Sequence, residues 1–305
     1  MSIRSALVGW PRHYLLTLQI LWATLLFLEP PSLSADEIVF PHELWQQKNA
    51  AEMGLDDSKL EAVATAQRSR GCVIKKGYVV KTWGSQSEKG DLASSAKTAL
   101  STLLMFAHKQ GRIKSFDQPI VDFGWELSSN DQTMTFRQLA SMTGGYARPE
   151  ESGKAWAHND YAIQLYQKRL FDKVFHVPER FGALQLQDGF NFRDTNRRMR
   201  ASVRDFARVA WFRMNRGQWN RVQLLPRSFF DDNMRPQVPI DLPLSVPAAT
   251  DDYLKIGTYG GESNHFSSAG PGIYGFNWWF NKTGRTHSDE LSWADAPGYR
   301  DVAGS

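Results

Sequence analysis

Residues 94–110 run Ser94-Ser95-Ala96-Lys97-Thr98-Ala99-Leu100-Ser101-Thr102-Leu103-Leu104-Met105-Phe106-Ala107-His108-Lys109-Gln110, and Gly111 follows. Leu100, Leu103, Leu104 and Ala107 recur at helical spacing, and a glycine is a common helix stop, so the pattern predicts a helix over 94–110. On such a helix Ser94 and Lys97 lie one turn apart on the same face, where an amine can reach a hydroxyl. A serine hydroxyl is a weak nucleophile until a base removes its proton. Lysine is that base only when neutral, a state favoured by burial and by the positive end of a helix. The alternative is that Ser94 merely caps the helix. A capping box wants Glu or Gln three positions on, whereas Lys97 stands there and opposes the helix dipole. Local rules are broken most often at functional sites.

Upstream, 57–68 carries Leu60, Val63 and Ala64 at helical spacing, with Asp56 or Asp57 as cap. Two β-rich runs, 72–74 and 78–83, flank Lys75-Lys76-Gly77 and predict a hairpin. Residues 84–90 read as a loop. Downstream, 116–240 reads mainly as helices and loops. The clearest helix is 203–214, with Ser202 as N-cap, Asp205 completing a capping-box pattern, and Asn215 and Gly217 at its end. The aromatic run 273–280 predicts a strand, closed by residues 281–284. Strands, a long helical stretch and a further strand imply an α+β fold: an antiparallel sheet built from both chain ends, flanked by helices, with a mostly helical subdomain inserted.

The 305 residues suffice for one large domain, and 11 Trp and 18 Phe allow a sizeable core. The net charge of +4 comes partly from scattered arginines (Arg193, Arg197, Arg198, Arg200) with no basic run, which argues against a nucleic-acid partner. Arg4, Arg12 and His13 precede an apolar run at 14–28, then Pro30, Pro31 and the small residues Ser32, Ser34 and Ala35. This order predicts a secretory signal over 1–35, leaving a domain over 36–305 in the periplasm or outside the cell. An uncleaved membrane anchor is the alternative, but the apolar run falls short of the ~20 residues that span a bilayer. Cys72 is the only cysteine, so no internal disulfide forms, and an inert, buried thiol is expected.

Several segments, in order, resemble the β-lactamase-related serine hydrolases: class C β-lactamases, D-alanyl-D-alanine carboxypeptidases and their esterase relatives. The hairpin region 71–83 leading to Ser94-x-x-Lys97 resembles their first strands and nucleophile helix. Gly111-Arg112-Ile113 with Asp117 and Pro119 is similar to the turn after that helix. Thr135-Phe136-Arg137-Gln138-Leu139 through Met142-Thr143-Gly144-Gly145-Tyr146 resembles the loop toward the site. Trp156-Ala157-His158-Asn159-Asp160 resembles the second catalytic motif. Ser202 to Arg208, Arg216-Gly217-Gln218-Trp219 and Tyr274-Gly275-Phe276-Asn277-Trp278-Trp279 resemble later family segments. The resemblance runs from about residue 55 to the end.

The resemblance implies Ser94 as nucleophile, Lys97 as its base, and acyl transfer from an ester, amide or β-lactam carbonyl. In the family the second motif begins with a tyrosine that moves the proton, and His158 stands there. Histidine does acid–base work near neutral pH, or it is simply packed. Asn159 and Asp160 would contact substrate or orient Lys97, or else cap the segment 161–165. Lys282-Thr283-Gly284 spells the third motif, but in a turn-like setting rather than on a strand beside the serine. The family's third-motif strand, which supplies an oxyanion donor, is expected to be missing with the last strands and terminal helix. The rival expectation is therefore a catalytically impaired relative, a binding module or a non-functional fragment. His265 and His287 stand apart without metal-ligand spacing, no phosphate loop occurs, and no cofactor is expected. Trp278-Trp279 is read as sheet packing. Expected partners are a small ester, a β-lactam or a cell-wall peptide, with a membrane only through the N-terminal segment.

Overall fold

The computed structural model describes residues 38–67, 69–175, 184–193, 198–246, 251–260 and 270–280. The expected signal at 1–35 lies outside them, as do Arg197, His265, His287 and Lys282-Thr283-Gly284. The chain divides into a short unit, Met1–Val39, and a main unit, Phe40–Ser305, which holds every element below.

Helix α1, Asp57–Gln67, starts where the Asp56 carboxylate accepts the N–H groups of Ser58 at 2.9 Å and Lys59 at 3.3 Å, so Asp56 is the cap. Strands β1, Gly71–Lys75, and β2, Tyr78–Trp83, pair antiparallel with a register shift between Val73 and Ile74. Their turn is Lys76-Gly77, at φ 52° and 90°, the left-handed pair that matches strand twist. Strand β3, Gly90–Asp91, leads into a 3₁₀ turn, Ala93–Ser95, and then helix α2, Ala96–Lys109. The predicted helix is thus present, but its first turn is the tighter 3₁₀ form that is frequent at helix ends. Leu100, Leu103, Leu104 and Ala107 are each at most 1% exposed, and Ala96, Ala99 and Met105 are also buried. Each such leucine contributes roughly 1.5–3 kcal/mol by leaving water, so α2 is the spine of the core.

Helix α3, Phe136–Ala140, carries a capping box that was not read from the sequence: Thr135 accepts from the Gln138 N–H at 3.2 Å, and Gln138 accepts from the Thr135 N–H at 2.9 Å. Helix α4, Asp160–Lys168, continues as a π-helical turn, Arg169–Val174. Strands β4, Asn191–Phe192, and β5, Met199–Ala201, join β3 in the antiparallel order β3-β5-β4. Helix α5, Val203–Met214, has the predicted bounds, and Ser202 accepts the Asp205 N–H at 3.3 Å. Asp205 does not complete a capping box. Its carboxylate instead accepts the N–H groups of Gln187, Asp188 and Gly189 at 2.8, 2.8 and 2.7 Å, since a short Asp side chain serves a neighbouring turn.

Strands β6, Gln218–Trp219, and β7, Val222–Gln223, form a small hairpin before helix α6, Arg227–Asn233. The run 273–280 is not one strand but a second hairpin, β8, Tyr274–Gly275, with β9, Trp278–Trp279. Phe276 and Asn277 turn it at φ 49° and 70°, and their N–H groups reach Ser141 Oγ at 3.4 Å and Ala140 O at 2.6 Å. A Cβ on Gly275 would sit 2.6 Å from Arg235 O, so only glycine fits there. The architecture is mixed α/β, with small antiparallel sheets and helices around one apolar cluster. β1 pairs only with β2 among the described strands.

Candidate active site

Ser94 is exposed in the 3₁₀ turn. Ala93, immediately before it, is held at φ 46°, a left-handed conformation unusual for a residue with a Cβ. Asp91 holds this turn: its carboxylate accepts the Ala93 N–H at 2.8 Å, Arg193 Nη1 at 3.1 Å and Arg198 Nε at 3.1 Å. Burial favours the protonated form of Asp91, but the Ala93 N–H and the two arginines outweigh it and hold the carboxyl below its usual range. Thr98 Oγ1 donates to Ser95 O at 2.8 Å, closing the junction between turn and helix.

Lys97 is 3% exposed, and its Nζ has no hydrogen-bond partner. Burial pushes the amine down to about 8, and the Asp160 carboxylate works against that shift. Asp160 is itself buried in the first turn of α4, where the helix dipole favours an anion. The Tyr259 N–H donates to Asp160 O at 3.2 Å, and the Arg198 guanidinium stands 5.7 Å from the Tyr259 ring centre. Burial first, then the Asp91 and Asp160 carboxylates, keep the Tyr259 hydroxyl protonated far above its ordinary range. Charge interaction between Lys97 and Asp160, and contacts from Asp160 through Tyr259 and Arg198 to Asp91, connect the buried amine with the Ser94 turn.

Asn159 is the N-cap of α4. Its Oδ1 accepts from the N–H groups of Tyr161 at 2.9 Å and Ala162 at 3.4 Å, and its Nδ2 donates to Tyr146 O at 2.7 Å. The side chain is 2% exposed. His158 is half-buried, its ring 6.3 Å from that of Trp279 at an interplanar angle of 21°. Trp279 in turn meets Trp156 and Tyr274 edge-on at 5.9 and 4.8 Å. Asp91, Arg193, Arg198 and Tyr259 were missed in the sequence. Asp91 had a local signal, an Asp two residues before a strained N–H. Arg193 and Arg198 were read only as scattered charge, and Tyr259 carries no local signal.

A groove of about 700 Å³ lies beside this turn, with Cys72, Ile74, Leu92, Ser95, Phe206 and Trp211 on its walls, whereas Ser94 and Lys97 are not. The Cys72 thiol is pushed up to about 11 by burial, which makes it a poor nucleophile. Among the described residues no group of three or more His, Cys, Asp or Glu side chains is arranged to hold a metal ion.

The order of elements, a hairpin followed by a buried core helix, is that of a β-lactamase-like fold. The chain is similar in fold to a candidate β-lactamase from Bacteroides dorei, with a TM-score of 0.55 and 15% identity over 73% of this chain and 79% of that one. It also aligns with a candidate 6-aminohexanoate-dimer hydrolase from Bacillus anthracis (TM-score 0.49, 16% identity, 63% of this chain and 66% of that one). A D-alanine carboxypeptidase from Burkholderia cenocepacia aligns with a TM-score of 0.45 and 16% identity, over 59% of this chain and 71% of that one. No family model and no curated protein matches the chain. At these identities the likeness is one of fold.

Proposed function

We propose that the chain is an exported hydrolase that transfers acyl groups from an ester, amide or β-lactam carbonyl through Ser94. The observation that carries this reading is the Lys97 amine, buried without a hydrogen-bond partner and lowered to about 8, one turn from an exposed serine on a strained turn. Neutral Lys97 takes the Ser94 proton as Oγ forms a bond to the carbonyl carbon. The resulting ammonium returns that proton to the leaving group as the tetrahedral intermediate collapses. Water then repeats the exchange on the acyl-enzyme and releases the acid. His158 relays protons between this pair and the leaving group. Asp160 steadies the ammonium when it forms, and Asn159 positions the α4 end against the substrate. Export rests on the basic, apolar and small-residue order of residues 1–35. The test is covalent labelling with an alkyl fluorophosphonate or a fluorescent penicillin. One adduct, mapped to Ser94, is expected in the intact mass. A folded sample without an adduct from either reagent would exclude the proposal.

A second reading, a module that binds such compounds without turning them over, is favoured by one feature. The Asn159 side chain is already spent on capping α4 and on Tyr146, which weakens its reach to a substrate. Steady-state ester hydrolysis that disappears in Ser94→Ala removes this reading, whereas binding without turnover supports it.

A further inference from the structure

Arg213 of α5 is 1% exposed. One nitrogen, Nη1, donates to Thr98 O at 3.2 Å, Ser101 Oγ at 3.1 Å and Thr102 Oγ1 at 2.8 Å, all on α2. Its Nε and Nη2 have no hydrogen-bond partner, and among the described residues the one ionisable group that acts on it is Tyr166, not a carboxylate. The guanidinium stands 4.7 Å from the Trp278 ring centre and 5.9 Å from that of Phe230. Around it lie further buried polar groups: the Tyr166 hydroxyl and Trp278 Nε1 have no hydrogen bond, and the Tyr274 hydroxyl and the Asn277 amide have at most each other. Tyr166 interacts with both Arg213 and Tyr274, so these groups form one cluster where α2, α4, α5 and the β8–β9 hairpin meet.

Two physical rules make this cluster unusual. Buried polar groups nearly always find hydrogen bonds, and a buried cation with only neutral partners is costly. A guanidinium does not escape by losing its proton near neutral pH. Burial lowers Arg213 to about 9, which still leaves it charged at pH 7. Every atom here except Asn277 Oδ1 and the tyrosine oxygens is a pure donor, and both tyrosine hydroxyls can turn to donate.

We infer that Arg213, Tyr166, Tyr274 and Trp278 form an internal site for a small monovalent anion, a halide or a short carboxylate. The anion supplies the missing counter-charge and takes up the free Nε and Nη2 donors. It thereby ties α5 to the aromatic hairpin beneath the Lys97 helix. The site is independent of any acyl transfer at Ser94.

The test follows thermal unfolding of the full chain as sodium gluconate is replaced by sodium chloride, or separately by sodium formate, at constant ionic strength. A ligand that binds only the folded state at a hundredfold excess over its Kd raises the folded-to-unfolded ratio by about a hundredfold. A rise in Tm that becomes linear in the logarithm of the chloride or formate concentration is expected, and which salt acts identifies halide or carboxylate. The rise is lost in Arg213→Met and weakened severalfold in Tyr274→Phe, which retains the ring should the first variant not fold. Crystals in sodium bromide should show an anomalous peak within hydrogen-bond reach of Arg213 Nη2. No Tm response to either small anion, or an undiminished response in Arg213→Met, overturns the proposal in favour of water alone.

Discussion

On the proposed mechanism Ser94 and Lys97 share the work of a nucleophile between an exposed oxygen and a hidden nitrogen, and no hydrogen bond joins the two in the structure. Only the neutral amine accepts the serine proton, and burial places its titration at about 8. The rate of fluorophosphonate labelling should therefore climb as pH rises through about 8 and level off above it. A flat profile between pH 6 and 10 would count against Lys97 as the base. Lys97→Met should slow labelling by about 10²–10⁴-fold, and Ser94→Ala should abolish the adduct while leaving the circular dichroism spectrum intact. Asn159 is a structural residue whatever else it does. Asn159→Ala removes the α4 cap and the bond to Tyr146, and an urea midpoint shift worth about 1–2 kcal/mol is expected.

The elements that carry long, regular patterns were legible beforehand. The helix over 203–214 has its predicted bounds, and α1, α2 and the β1–β2 hairpin follow their apolar spacing and turn residues closely. What escaped were pieces too short for any periodicity, such as the two-residue strands β3, β4 and β6, which exist because tertiary packing aligns them. The aromatic run 274–279 concealed its turn because Phe276 and Asn277 give no glycine signal, and docking on α3 holds them at positive φ. The proposed serine and lysine could be picked out because they stand three residues apart in one short stretch, the 3₁₀ turn and the start of α2. The groups around them, Asp91, Arg198 and Tyr259, come from segments far apart in the chain, and nothing local marks that meeting. Asp205 belongs here too. Asp205→Ala frees three N–H groups of the 187–189 turn from a buried acceptor. A loss of about 2–4 kcal/mol, together with faster amide exchange across that turn, is expected.

At the scale of the molecule, the buried lysine couples stability to pH. Its folded value of about 8 lies below the 10.5 of an exposed amine, so between these values the unfolded chain binds more protons. Stability therefore rises with pH across that window, by at most about 3 kcal/mol if fully developed. Tyr166, Tyr259 and Tyr274 are held protonated by burial, and unfolded tyrosines titrate near 10. Their contribution falls away above that point, so urea midpoints should increase from pH 8, pass a maximum near pH 10 and then decline. Lys97→Met should flatten the rising limb.

The lone thiol of Cys72 gives this chain an internal clock for breathing motions of its first hairpin. The side chain is half-buried in β1, on the groove wall, and its high pKa disfavours the thiolate that alkylating reagents need. Modification in the closed state is therefore slow, and it quickens when the strand lifts from its neighbours. With no second cysteine to compete, the velocity of alkylation, compared with that of a short unfolded peptide, sets a lower bound on the free energy of that partial opening. The fraying of β1 can thus be timed separately from global unfolding, with no engineered label.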